Sequence, residues 1–299
     1  MKKLFVTILV FVFLFGGIST TSEAATVSTG WVNSNGQWHF YKSGVMQTGW
    51  VQVNNKWYYL GPSGAMKTGW VQVSNKWYYL SPNGDMVTGW KPINQRWYYF
   101  QASGAWDAAQ VVLNVPYVSQ LTPTYAPMGC EGASLLMALK YKGYTKESLK
   151  SLLDKMPKTK NNPYIAFAGT PYKNVSGVFQ SIFPKPLTAF GLKYSSKVAN
   201  ATGYTTTQLK KELDKGNPVV VYVTLKFTKP VWARYYMGSA GHVNIVDNMH
   251  VMTLIGYSKK TGSYYVADPD STRPNNKYWV SKSAFETSYD ALKYAVVVR

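Results

Sequence analysis

Residues 48–70 read TGWVQVNNKWYYLGPSGAMKTGW, and this segment contains the repeated pattern of the N-terminal part of the chain. A Gly-Trp pair is followed seven residues later by a second Trp, and an Asn-Asn turn lies between the two. Two β-rich segments around such a turn predict a β-hairpin. The Gly-Trp pair recurs with steps of 19, 20 and 20 residues, at Gly30-Trp31, Gly49-Trp50, Gly69-Trp70 and Gly89-Trp90. A repeat of this length predicts a solenoid of stacked hairpins.

Each predicted hairpin has aromatic rings on both faces and few aliphatic side chains. Side chains of a strand alternate between faces, so Trp57 and Tyr59 project to one face and Tyr58 projects to the other. Such rings can form the small core of a hairpin. Rings at the junction of successive hairpins can also bind a quaternary ammonium ion by cation–π attraction.

The repeated pattern resembles the choline-binding repeat of Gram-positive surface proteins and wall hydrolases over residues 29–105. In that family, a site takes two Trp from one hairpin and a Tyr from the next. The resemblance implies that choline groups of cell-wall teichoic acids are the ligand, with glucan as the alternative. No further Trp-Tyr-Tyr follows Trp97 to supply a third ring for a site at Trp90. The implied choline sites are Trp31, Trp38 and Tyr59; Trp50, Trp57 and Tyr79; and Trp70, Trp77 and Tyr99.

Residues 1–24 have the pattern of a signal peptide. Lys2 and Lys3 precede an apolar run that ends at Ile18, and small residues around Ala24 fit a cleavage site. The run is shorter than the roughly 20 residues of a spanning helix, which disfavours the alternative of a membrane anchor. We therefore expect an exported protein at the cell wall or cell surface, without an integral membrane segment after cleavage.

Net charge and composition indicate which classes of partner and cofactor to expect. The net charge is +19, and residues 107–299 contain 24 Lys and Arg against 11 Asp and Glu, a net +13. This excess favours a polyanionic partner, either nucleic acid or a phosphate-rich wall polymer. Export, and the lack of a nucleic-acid-binding motif, favour the wall. One Cys and three scattered His give no metal-ligand spacing, so no metal or other cofactor is predicted.

After residue 106 the aromatic repeats end and aliphatic residues become frequent. We expect a signal peptide at 1–24, repeats at 25–106, a linker at 107–113 and a catalytic domain at 114–299. Early helices followed by a strand-rich second half predict an α+β domain. Helices are expected near 130–142, 146–155, 206–215 and 281–289, and strands near 218–226, 250–257, 263–267 and 294–298.

A thiol and a His-Asp pair are the candidate catalytic groups. Cys130 opens a predicted helix, whose N-terminus should lower the pKa of the thiol, although a single Cys is also a common inert core residue. His250 begins an apolar strand and Asp268 ends the next one, so antiparallel pairing brings the carboxylate beside the ring. Asp268 could instead cap an Asp-Pro turn. The competing pair is His242, in a predicted loop, with Asp247.

The order of these groups resembles that of papain-like peptidases related to bacteriocin leader-processing domains, from about Asn114 onwards. The shared features are Gln120, a Gly-Cys-Glu that opens a helix at Cys130, the strand of His250, and Tyr-Val-Ala-Asp-Pro around Asp268. The resemblance implies a papain-like fold and a cysteine peptidase that acts on a peptide or protein. Cys130 would be the nucleophile, His250 the general base, Asp268 its orienter and Gln120 an oxyanion donor.

Two other functions fit the same residues. A murein endopeptidase or amidase would need the same thiol, base and oxyanion donors as a peptidase that cuts proteins. A non-catalytic choline-binding adhesin would retain the fold as a scaffold. The presence of all four candidate catalytic residues weighs against the adhesin.

Overall fold

A computed structural model describes residues 29–270 and 276–299, and the predicted signal peptide lies outside these ranges. The chain forms two compact units. The first comprises the described part of Met1–Gly89 together with Phe100–Trp106, and the second comprises Trp90–Tyr99 and Asp107–Arg299. Among the helices in the described ranges, none is long and apolar enough to cross a membrane.

The first unit consists of antiparallel hairpins, which confirms the predicted hairpin repeat. The turn residues Asn54 and Asn55 have positive φ angles of 49° and 60°, as a two-residue type I′ turn requires. Ser74 and Asn75 repeat this turn with φ angles of 47° and 60°. The strands are β1 (Thr29–Ser34), β2 (Gln37–Lys42), β3 (Val45–Met46), β4 (Gly49–Val53), β5 (Lys56–Leu60), β6 (Gly69–Val73) and β7 (Lys76–Leu80).

Loops tie each hairpin to the one before it. The backbone amide of Met66 donates to the carbonyl of Trp38 at 2.7 Å, and that of Met86 donates to the carbonyl of Trp57 at 2.7 Å. Gly84 has a φ angle of +83°, and a Cβ at this position would lie 2.3 Å from Sδ of Met66. The loop glycine thus allows both the left-handed backbone and the close approach of the preceding loop's methionine.

The second unit is an α+β domain, as predicted. Helix α3 and the hairpin β15–β16 were not anticipated from the sequence. The helices are α1 (Cys130–Tyr141), α2 (Leu149–Lys155), α3 (Pro184–Gly191), α4 (Thr206–Asp214) and α5 (Lys282–Asp290). The strands are β8 (Gly89–Ile93), β9 (Arg96–Phe100), β10 (Gln110–Leu113), β11 (Lys158–Thr159), β12 (Phe167–Ala168), β13 (Val198–Asn200), β14 (Val219–Thr224), β15 (Trp232–Tyr236), β16 (His242–Val246), β17 (Met249–Ser258), β18 (Tyr264–Ala267), β19 (Lys277–Val280) and β20 (Ala295–Val298).

The main sheet of this unit has the strand order β13-β20-β14-β17-β10-β9-β8, and β18 pairs with both β17 and β19. Helices cover β14 on both faces. Val219 and Val221 pack with side chains of α4 and α5, whereas Val220 and Tyr222 pack with side chains of α1, α2 and α3. Burial on both faces explains why β14 is a continuous apolar run rather than an alternating one.

The structure differs from the predicted linker at 107–113. Residues 110–113 form β10, and Val112 pairs with Gly256 of β17 and with Trp97 of β9. The side chains of Val112 and Leu113 are buried, so this apolar segment is part of the sheet. The residues of Trp90–Tyr99, which we call the 90–99 hairpin, consequently belong to the second unit although their sequence continues the repeat.

Candidate functional site

Cys130 is the first residue of α1, and α1 packs on the strand that carries His250. The hydroxyl of Ser134 donates to the carbonyl of Val251 at 3.1 Å, and the hydroxyl of Thr253 donates to the carbonyl of Ser134 at 3.0 Å. The thiol also accepts from the backbone N–H of Val251, the residue after His250. The N-terminal turn of α1 is therefore fixed beside the start of β17.

A buried carboxyl group contacts the thiol. Sγ of Cys130 donates to Oε2 of Glu131 at 3.3 Å, while Oε1 accepts from the hydroxyl of Ser181 at 2.6 Å and from the amide of Ile182 at 3.3 Å. Glu131 is only 1% exposed, and burial raises its pKa above the ordinary value. The sequence pattern gave Glu131 no role, although it directly follows Cys130 in the Gly-Cys-Glu motif.

The surroundings of Cys130 favour the protonated thiol. Burial raises the pKa of the thiol well above its ordinary value, and the charge of Glu131 and the hydrogen bond to it raise it further. The interaction with the amide of Val251 lowers the pKa but does not compensate. The expectation of a lowered pKa is therefore wrong, because desolvation and an adjacent carboxylate outweigh the helix N-terminus.

His250 and Asp268 form a buried pair. Nε2 of His250 lies 2.7 Å from Oδ1 of Asp268, and the hydroxyl of Tyr278 donates to Oδ2 at 2.9 Å. Burial acts to raise the pKa of Asp268, but the hydrogen bond from His250 and its charge outweigh burial and hold that pKa below its ordinary value. The antiparallel pairing of β17 with β18 brings the two residues together, as their places in the two strands predict.

Gln120 lies on a segment tied to the turn after Asp268. Its backbone amide donates to the carbonyl of Pro269 at 2.9 Å, and its side-chain Nε2 donates to the carbonyl of Pro127 at 2.8 Å. The side chain is 1% exposed. An amide nitrogen carries two hydrogens, so the bond to Pro127 leaves the second one for another acceptor.

The competing pair, His242 and Asp247, is not brought together in this way. His242 is the exposed first residue of β16 rather than part of a loop, and its ring lies 5.3 Å from that of Tyr236. Asp247 accepts a hydrogen bond from the hydroxyl of Tyr235. Both residues thus contact tyrosines of β15.

In the repeat unit, ring contacts join a Trp of one hairpin to a Tyr of the next. The ring centroids of Trp31 and Tyr58 are 4.9 Å apart, as are those of Trp50 and Tyr78. Trp57 lies on the same face of its hairpin as Trp50 and is 42% exposed. These contacts outline aromatic cages between consecutive hairpins.

At Trp31 and Trp50, the ring contributed by the next hairpin is Tyr58 or Tyr78 rather than the predicted Tyr59 or Tyr79. Tyr59 lies directly opposite Trp50 of its own hairpin, with the ring centroids 5.1 Å apart. Tyr58 projects to the other face and reaches the preceding hairpin, as strand alternation requires. Trp38 shares a face of its hairpin with Trp31, and the ring centroids of Trp70 and Trp77 are 6.3 Å apart. The remaining predicted tyrosines each pack on a Trp of their own hairpin: the centroid of Tyr79 lies 5.4 Å from that of Trp70, and that of Tyr99 lies 5.3 Å from that of Trp90.

Comparison with known proteins gives two kinds of match. The Peptidase_C39-like family model matches residues 112–297, and the choline-binding repeat model matches residues 28–68, 47–88 and 67–106. The uncharacterized protein YvpB of Bacillus subtilis is 28% identical over 194 residues, which is 62% of this chain and 74% of that protein.

Solved structures show similarity to both parts of the chain. A Bacillus anthracis crystal structure, provisionally assigned as a C39-like peptidase, is 26% identical with a TM-score of 0.56, over 64% of this chain and 97% of that one. Choline binding protein F of Streptococcus pneumoniae is 51% identical over 27% of this chain and 28% of its own, with a TM-score of 0.26. Because the peptidase match covers more than half of its length, the chain belongs to the Peptidase_C39-like family, and choline-binding repeats precede its peptidase domain.

Proposed function

We propose that this chain is an exported cysteine peptidase that binds choline groups of cell-wall teichoic acids and hydrolyses an extracellular peptide or protein. The observation that carries the proposal is the buried pair of His250 and Asp268, 2.7 Å apart, beside the strand residue that contacts the thiol of Cys130. A thiol, an imidazole and a carboxylate in this order are the groups of a Cys-His-Asp triad.

The thiol starts the reaction protonated, because its pKa is raised. Nε2 of His250 is engaged with Asp268, so Nδ1 is the nitrogen that accepts the thiol proton as sulfur attacks the substrate carbonyl. Asp268, whose lowered pKa keeps it ionised, stabilises the imidazolium that forms. Proton transfer therefore accompanies attack rather than preceding it.

Two donors are suited to the oxyanion of the tetrahedral intermediate. The first is the second side-chain hydrogen of Gln120, and the other is the backbone N–H of Cys130, because the first N–H groups of a helix have no acceptor within it. His250 then returns its proton to the leaving amine, which breaks the C–N bond and leaves an acyl-enzyme. Water, deprotonated by the same ring, hydrolyses the thioester and restores the thiol.

Replacing Glu131 by Gln should activate the thiol. The amide retains the shape of the side chain but removes the charge that raises the pKa of Cys130. We expect the alkylation rate of Cys130 by iodoacetamide at pH 7 to increase on the order of tenfold. The rate of the unaltered protein should continue to rise with pH beyond the ordinary titration range of cysteine, and that of Glu131→Gln should level off at lower pH.

Glu286→Gln serves as the matched control. Glu286 accepts from the hydroxyl of Tyr264 at 2.6 Å on α5, and its replacement should leave the alkylation profile unchanged. Identical profiles for Glu131→Gln and the unaltered protein would show that Glu131 does not control the thiol.

The proposed substrate class is tested by identifying the cleaved bonds. The full chain and Cys130→Ala are incubated with choline-substituted cell walls and with a mixture of surface proteins, and new termini are read by mass spectrometry. We expect new protein termini that depend on Cys130. New termini confined to murein stem peptides would favour the murein endopeptidase or amidase, and none in either sample would favour the adhesin.

A further inference from the structure

The turn of the 90–99 hairpin and the C-terminal ends of α1 and α4 surround a polar pocket of about 490 Å³. Arg96 of the hairpin, Lys142 directly after α1 and Lys215 directly after α4 line it, which brings three positive charges to one cavity. Among the described residues that line the pocket, none is a carboxylate. Part of the positive charge of the second unit is therefore gathered at one concave site.

Helix capping accounts for only part of the donors that these cations carry. Cations near a helix C-terminus are stabilised by the macrodipole and can donate to the last carbonyls. Nη2 of Arg96 donates to the carbonyl of Asp214 at 2.6 Å. Nζ of Lys142 donates to Oδ1 of Asn217 at 2.8 Å. A guanidinium has five N–H groups and an ammonium has three, so both side chains retain donors for a further acceptor.

Two carboxylates at the end of α4 bind other groups. Oε1 of Glu212 accepts from Nη2 of Arg299 at 2.8 Å, and Oδ1 of Asp214 accepts from the hydroxyl of Tyr257 at 2.8 Å. Neither carboxylate lines the pocket. The positive charges that line the pocket are therefore not paired there with an acidic side chain of α4.

Two of the cations also repel each other. Burial lowers the pKa of Lys142, and although the charge of Glu212 opposes this shift, the charge of Arg96 adds to it. Lys142 and Arg96 thus lie within electrostatic reach in a partly dehydrated place. An anion between the two side chains would replace this repulsion with two attractions.

We propose that this pocket binds a phosphate group, and that the phosphodiester of an anionic wall polymer supplies it. The N–H fork of a guanidinium matches phosphate oxygens, and lysine ammonium groups add charge without a fixed geometry. Asn94 and Gln95 also line the pocket and are exposed, so their side-chain amides can donate to the remaining oxygens. The site would recognise the charge of the polymer rather than its choline. The polymer as the source rests on the proposed location at the cell wall, whereas phosphate binding itself does not.

The test is nitrogen NMR of the full chain with isotopically labelled arginine, because the sequence contains only four arginines. The Nε signal of Arg96 is assigned with Arg96→Lys, and that of Arg234, which is exposed on β15, with Arg234→Lys. We expect inorganic phosphate at physiological ionic strength to shift the Arg96 signal saturably and to leave that of Arg234 in place. Sodium chloride at the same ionic strength should shift neither signal.

A charge-neutral variant gives a second measurement of phosphate binding. Lys142→Gln should weaken the binding of inorganic phosphate on the order of tenfold, because it removes one charged donor. Lys260→Gln removes the same charge from an exposed position of the turn between β17 and β18, and it should bind phosphate as well as the unaltered protein. Equal affinities of both variants and the unaltered protein would contradict the site.

A choline-free glycerol phosphate polymer distinguishes the two sources of phosphate. We expect it to shift the Arg96 signal at a phosphate concentration at least about tenfold lower than inorganic phosphate requires, because the field of a polyanion concentrates a positively charged protein. A shift with inorganic phosphate but none with the polymer would overturn the polymer as the source. Equal shifts of Arg96 and Arg234, or an equal response to chloride, would overturn the site. These signals are read on the unaltered chain and require neither peptidase activity nor choline binding.

Discussion

Cys130→Ala is expected to reduce peptide hydrolysis by at least about 10⁴-fold, because no other thiol in the sequence can form the acyl-enzyme. His250→Ala should be nearly as inactive. The thiol of this protein is held protonated by burial and by Glu131, so removal of the base leaves no preformed thiolate to sustain the reaction. Turnover is measured on the substrate identified by mass spectrometry, and folding is checked by near-ultraviolet circular dichroism.

Asp268→Asn and Gln120→Ala should have smaller effects of different kinds. The Asn oxygen can still accept from Nε2 of His250, but it lacks the charge that stabilises the imidazolium, so we expect a loss of at least about tenfold. Gln120→Ala should lower kcat on the order of a hundredfold with little change in KM, as expected when one oxyanion donor is removed.

His242→Ala is the control for this series. His242 is exposed on β16 and contacts Tyr236, so its replacement should leave turnover unchanged. An inactive His242→Ala together with an active His250→Ala would refute the triad and direct attention to Asp247.

The pair of His250 and Asp268 should be lost only at a pH below the ordinary titration range of aspartate. The pKa of Asp268 is lowered by His250 and Tyr278 despite burial, so the carboxylate remains charged as the pH falls through the ordinary range of aspartate. Its contribution to stability is fully present above the ordinary pKa and is lost as the pH falls through the lowered one. The pKa of Cys130 is shifted in the opposite direction. Because it is raised, a smaller fraction of Cys130 is ionised at neutral pH than of an ordinary cysteine.

Local patterns were sufficient to predict most of the fold and the pairing of His250 with Asp268. A strand, a short turn and a second strand fix an antiparallel register without knowledge of the remaining chain. The helix that begins at Cys130 was also predictable from its apolar face. These features depend on residues close in sequence, and for that reason they were accessible.

The protonation of Cys130 was not predictable in the same way. The helix N-terminus is visible in sequence, but the burial of the thiol and the fixing of Glu131 by Ser181 depend on residues distant along the chain. The identity of the cage tyrosine is a different case. Side chains alternate along Trp57-Tyr58-Tyr59, so Tyr58 projects to the face towards the preceding hairpin, where it contacts Trp31. The assignment of Tyr59 as the third ring, made by position from the family pattern, did not take this alternation into account.

The boundary between the two units was hidden by the repeated sequence pattern. The 90–99 hairpin repeats the Gly-Trp and Trp-Tyr-Tyr pattern, so sequence similarity groups it with the repeats. Its pairing with β10 and the bond from Trp97 to Asn114 group it with the peptidase sheet. Strand pairing between distant segments is not visible in a local pattern, which explains the difference at residues 107–113.

The double variant Trp57→Ala and Trp77→Ala should weaken retention on a choline-substituted surface on the order of a hundredfold. Trp57 and Trp77 are 42% and 41% exposed, and each is the second Trp of one of the choline sites that the resemblance implies. Loss of one cation–π wall weakens a cage roughly tenfold, and the losses multiply because the cages bind the surface together. Binding is measured with the full chain by surface plasmon resonance.

The measurement is made in high salt, because the net +13 of residues 107–299 attracts anionic polymer independently of choline and is screened there. Trp232→Ala, which removes an exposed indole of β15, should bind as well as the unaltered protein. Tyr78→Ala should release the chain at lower free choline than the unaltered protein, because Tyr78 contacts Trp50 across the cage at 4.9 Å. Undiminished retention of the double variant, at a salt concentration that releases a polyanion-bound control, would mean that these rings only form the hairpin core.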